Sequence, residues 1–84
     1  METEVNAFLT SLEAEPAYSE STRLAYANDL RVFLLFLKDS QDHPPKLSDL
    51  NTKQVTAFMD AERQLGRRRN TLIRRLATLK YFRE

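Results

Sequence analysis

One glycine (Gly66) and three prolines (Pro16, Pro44 and Pro45) are all the strong backbone breakers in 84 residues. A chain so poor in turn-formers is expected to consist of long helices with short connections. The apolar spacing agrees. Val5, Phe8, Leu9 and Leu12 recur at i, i+3, i+4 and i+7, which predicts a helix over roughly 3–14 that Pro16 ends. A second begins at "YSEST", where Ser19 or Ser21 can cap the free amides and Glu20 lies near the positive end of the dipole. It runs to about Lys38, with Ala27, Leu30, Phe33, Leu34 and Leu37 on one side. Val32, Leu35 and Phe36 lie off that stripe, so this helix is expected to be central and packed on more than one side.

"DSQDHPPK" (39–46) is the one long loop-like stretch, since Pro44–Pro45 forbids helix through it. A third helix starts at Asn51, with Gln54 placed for a capping box and Leu50 and Val55 placed for an apolar staple. Val55, Phe58 and Met59 continue its buried face. Gly66 suits a left-handed helix end, and a fourth helix runs from about Arg69 to the terminus. The expectation is an all-α, compact four-helix bundle forming a single domain over 1–84.

Several function classes drop out. Without cysteine there are no disulfides or thiolate metal sites, which is compatible with a reducing, cytoplasmic setting. No apolar run nears the roughly 18 residues of a membrane span, and "METEVN" lacks signal-peptide character. His43 has no second ligand at metal spacing and reads as a surface histidine. The carboxylate pairs Asp60/Glu62 and Asp39/Asp42 read as surface solvation. No phosphate-cradling glycine loop, nucleotide fingerprint or Ser/His/Asp set is present, so neither a cofactor nor a small-molecule substrate is expected.

What remains is charge. The chain is formally +1, but residues 1–20 hold five glutamates and no lysine or arginine. Residues 63–84 hold Arg63, Arg67, Arg68, Arg69, Arg74, Arg75, Lys80 and Arg83 against Glu84 alone. A chain polarised in this way commonly meets a polyanion. Along the fourth helix Leu72, Leu76 and Leu79 form an apolar face, with Ile73 and Phe82 at its edges. Opposite them Arg67, Asn70, Thr71, Arg74, Thr78 and Tyr81 line up with no acid among them, and so without a salt-bridge partner on the helix. Asn and Arg read adenine and guanine edges in a major groove, and Thr can contact thymine methyls. Arg68, Arg69, Arg75 and Lys80 flank this face, placed for phosphates. An arginine cluster on a helix is more often plain solvated surface, and the missing carboxylates are what weigh against that reading. Thr22 and Arg23, in the first turn of the second helix, are further candidates for DNA contact, while Tyr26 falls in an apolar stripe and reads as part-buried core.

"YSESTRLAYANDLRVFLLFL" resembles the pattern S-x-x-T-x-x-x-Y-x-x-D-L-x-x-F-x-x-F-L, matched by Ser19, Thr22, Tyr26, Asp29, Leu30, Phe33, Phe36 and Leu37. "LSDLNTKQVTAFM" and "NTLIRRLATLKYFRE" resemble the segments that follow it in the N-terminal core-binding (SAM-like) domain of tyrosine recombinases, the phage-integrase family. The resemblance spans nearly the whole chain. It implies a domain that clamps one side of a recombination site, with the second and fourth helices over the major groove. It places DNA contacts on Thr22, Arg23 and Tyr26, and on Asn70, Thr71, Arg74 and Lys80. Lys80 stands where the family commonly has arginine, and the run Arg67–Arg69 replaces a small-polar stretch.

The resemblance also implies that strand cleavage belongs to a separate catalytic domain, expected beyond residue 84. Tyr18, Tyr26 and Tyr81 match none of its motifs. The expectation is therefore a non-enzymatic fragment of a longer recombinase that binds double-stranded DNA, with other recombinase subunits as partners on that DNA. The alternative is a helical interaction module that docks on an acidic protein or on a neighbouring recombinase subunit.

Overall fold

A computed structural model describes residues 1–83. Four helices follow one another: α1 (Glu2–Glu13), α2 (Glu20–Ser40), α3 (Thr52–Gln64) and α4 (Arg69–Arg83). There is no strand among the described residues. Each predicted helix is present, and the caps explain the boundaries. Ser19 Oγ accepts the Thr22 amide at 3.2 Å to open α2, and Asn51 Oδ1 accepts the Gln54 amide at 2.9 Å to open α3.

The proline-rich connection is shorter and more ordered than its composition suggests. α2 continues through Asp39 and Ser40, and a 3₁₀ turn covers Leu47–Asp49. The Asp49 carboxylate fixes that turn by accepting the Lys46 amide at 2.9 Å and the Gln41 side-chain amide at 3.0 Å. His43 Nε2 lies 3.3 Å from the same carboxylate. These bonds, led by the Lys46 amide, hold the Asp49 pKa below the usual aspartate value.

The core is drawn from every helix: Val5 of α1; Leu30, Phe33 and Leu37 of α2; Phe58 and Met59 of α3; Leu79 and Phe82 of α4; and Leu50 between elements. Phe58 meets Phe33 and Phe36 edge-on, with centroids 5.2 and 5.4 Å apart, and Phe8 meets Phe82 at 5.5 Å. α2 is central as expected, although Leu35 on its outer side is exposed. α2 and α4 run antiparallel: Tyr26 lies beside Tyr81, while Asp29 three residues on meets Arg74 and Thr78. This pairing decides which side of α4 is available to a ligand.

Candidate nucleic-acid interface

α4 buries Arg75, Thr78, Leu79 and Phe82, with Leu72 and Leu76 partly buried beside them. The expected apolar face was centred on Leu72, Leu76 and Leu79, so the helix is turned by roughly 60° relative to that reading. Two carboxylates from neighbouring helices cause the turn. Asp29 of α2 and Glu62 of α3 are both buried, and burying a carboxylate requires cationic and hydrogen-bonding partners.

Asp29 accepts from Arg74 Nε at 3.0 Å and Nη2 at 2.7 Å, from Arg75 Nε at 3.3 Å and from Thr78 Oγ1 at 2.8 Å. Glu62 accepts from Arg75 Nη1 and, at 2.8 Å, from Arg67 Nε. Arg67, Glu62, Arg75, Asp29 and Arg74 thus form one chain of alternating charge across three helices. Its interior member is Arg75, whose side chain is 7% exposed, and its two ends emerge at Arg67 (45%) and Arg74 (40%). Three cations against two anions leave the network with excess positive charge, carried by those two outer guanidiniums. Its hydrogen bonding to the Asp29 carboxylate, which accepts, raises the Arg74 pKa above the ordinary arginine value against an opposing effect of burial.

The turn after α3 sets the Arg67 end. Gly66 has φ +81°, its amide donates to Arg63 O at 3.0 Å, and the Arg67 amide donates to Glu62 O at 3.3 Å. These are the two bonds of a Schellman motif. The residue pair that often makes an apolar contact across this motif here makes the Arg67–Glu62 ion pair.

This geometry completes one expectation and corrects two. The polar face of α4 has no acid of its own, but its Arg67 and Arg74 are not left unpaired, since acids of other helices meet them. Arg75 and Thr78, expected at the surface, are buried, so neither presents a side chain to a ligand. Glu62, read as surface solvation, is a core residue. The sequence held a signal for all of this. Asp29 lies three after Tyr26 and four before Phe33, Glu62 lies four after Phe58, and Arg75 lies four before Leu79. Charges at apolar helix register on three helices point to an internal ion network.

The exposed side of α4 carries Arg69, Asn70, Ile73, Lys80 and Tyr81, with Thr71 and Arg74 partly exposed at its border and Arg68 just before the helix. No acid occurs between Arg63 and Arg83. Arg68, Arg69 and Lys80 form no ion pair among the described residues. Ile73, expected at the edge of the apolar face, is 56% exposed at the middle of this side. On α2 the candidates divide. Tyr26 sits between Tyr18 and Tyr81 against α4, and burial followed by those two phenols raises its pKa. Thr22 Oγ1 is 3.0 Å from the Ser19 hydroxyl at the helix cap. Arg23 turns towards α1, lining a shallow hollow with Leu9, Glu13 and Glu20. Among the described residues no helix is long and apolar enough to cross a membrane.

Residues 5–84 match the family described as "Phage integrase, N-terminal SAM-like domain". Curated relatives include a protein named tyrosine recombinase XerC from Methylobacterium nodulans, 41% identical over 78 residues that cover 90% of this chain and 24% of the relative. Proteins of the same name from Rhizobium meliloti (40% identical, 89% and 24% covered) and a Mycobacterium species (34%, 98% and 27%) are also similar. The chain spans about a quarter of the length of these relatives and corresponds to their N-terminal domain rather than to the rest of them. No solved structure matches it at a comparable level of significance. With four helices in the expected order and a family match running almost from end to end, the chain belongs to the phage integrase N-terminal SAM-like domain family.

Proposed function

We propose that this domain binds double-stranded DNA and serves as the N-terminal grip of a longer tyrosine recombinase, whose strand-cleaving residues lie in another domain. The observation that carries this reading is the exposed side of α4, where no acid lies between Arg63 and Arg83 and where Arg69 and Lys80, with Arg68 just before the helix, form no ion pair among the described residues. α4 lies along the major groove, with Asn70 and Thr71 towards base edges and Arg68, Arg69 and Lys80 towards phosphates on either side. Tyr26 and Thr22 approach from the neighbouring start of α2. Arg75 and Thr78 support this surface from within and do not belong to it.

The test is titration of the 84-residue chain with duplex DNA at several salt concentrations. Each neutralised phosphate contributes a slope near −0.9 in log affinity against log salt, so several contacts give a steep fall. A nearly salt-independent association with a protein partner, and no binding to duplex, would instead favour a docking module.

A further inference from the structure

We propose that Asp29 is a positioning residue that presents Arg74 to a DNA phosphate as a fixed, outward-facing fork. The inference rests on the DNA-binding reading above and adds the group that one arginine engages and the reason it can do so. Of the five N–H groups of a guanidinium, Arg74 spends Nε–H and one Nη2–H on Asp29, along one edge of the plane. The adjoining edge, formed by Nη1 and the second Nη2 hydrogen, remains a two-pronged donor suited to a phosphate's paired oxygens. Arg75 and Thr78 hold the Asp29 carboxylate in turn, so the fork cannot swing without breaking buried bonds. An arginine fixed before its ligand arrives loses less side-chain entropy on binding. A lysine cannot substitute. Its single ammonium would be drawn to Asp29, leaving no second edge to offer.

This arrangement separates geometry from charge in a way that can be measured. Asp29→Asn removes a negative charge beside a cationic surface, so electrostatics alone predicts tighter DNA binding. Positioning predicts the reverse, because Arg74 loses its anchor. Arg74→Lys keeps the charge and alters a half-exposed residue, so it stands as the informative variant even where Asp29→Asn does not fold.

The experiment measures binding of the 84-residue chain and both variants to one duplex across a salt series, with folding checked by circular dichroism. We expect Arg74→Lys to weaken binding about tenfold or more and to lower the salt slope by about one. Folded Asp29→Asn should also bind more weakly than the parent chain. Parental affinity and slope in Arg74→Lys, or equal or tighter binding by folded Asp29→Asn, would overturn the proposal and leave the DNA-binding reading intact. Failure of the unaltered chain to bind any duplex would remove both.

Discussion

Arg75 carries a charge into the interior because two carboxylates are waiting there. An isolated buried guanidinium would be costly, but Arg75 bridges Asp29 and Glu62 and so satisfies acids from two helices at once. Removing it leaves Glu62 with Arg67 alone and takes one donor from Asp29. Arg75→Ala should therefore destabilise the domain by about 3–5 kcal/mol in urea or thermal unfolding, as loss of one partner from a buried ionic network does. A change within about 0.5 kcal/mol, usual for exposed sites, would contradict its placement. At this scale the sequence was readable for the apolar core and misleading for the charges. Leu30, Phe33, Phe58 and Leu79 follow helical register and are buried as expected. The arginines of α4 look alike in composition, and only the acids at apolar register on α2 and α3 tell the inward one from the outward ones. Those acids are distant in sequence, so no reading of α4 alone could have turned it correctly.

Among the elements, the turn from α3 into α4 depends most on a single residue. Gly66 has φ +81° and open space where a side chain would begin, so substitution there is resisted by the backbone and not by crowding. Gly66→Ala should cost about 1 kcal/mol. It should also loosen Arg67 from Glu62, because the Schellman turn brings those residues together. A stability change near zero in calorimetry would argue against the left-handed turn. This helix end was legible in advance, since one glycine after an apolar periodic run has few other uses. The 3₁₀ turn at Leu47–Asp49 was not, because three residues are too few to show a period. Its lock is the Asp49 carboxylate, whose folded pKa is depressed chiefly by the Lys46 amide. A depressed carboxylate contributes stability above its unfolded pKa, and that contribution is lost as pH falls through the folded value. The stability difference between the parent chain and Asp49→Asn should hold steady from pH 7 to 5 and shrink below about pH 4. A pH-independent difference in urea denaturation would show that the charged form is not what holds the turn.

At the scale of the whole molecule, the division of charge into an internal part and an external part leaves a chain of formal charge +1 with a locally cationic surface, which the proposed grip on DNA would use. Asp29 and Glu62 spend their charges inside the bundle, where Arg75, Arg74 and Arg67 answer them, and Arg68, Arg69 and Lys80 are exposed with no ion pair among the described residues. The external field is thus local to α4 and decays over a Debye length of roughly 10 Å at 0.1 M salt. A charge change should matter by where it falls, not by what it does to the total. Ile73 and Leu35 make this testable: both are exposed, one midway along the outer side of α4 and the other on α2 beside Arg31 and Pro44. Ile73→Glu and Leu35→Glu alter the net charge equally, and neither should shift stability by more than about 0.5 kcal/mol, since both side chains already face solvent. If α4 lies against DNA, Ile73→Glu sets a carboxylate among phosphates and should weaken duplex binding roughly tenfold or more. Leu35→Glu should change it by less than about twofold at the same salt. Equal losses in the two variants would mean that binding follows net charge and that α4 has no privileged contact with the duplex.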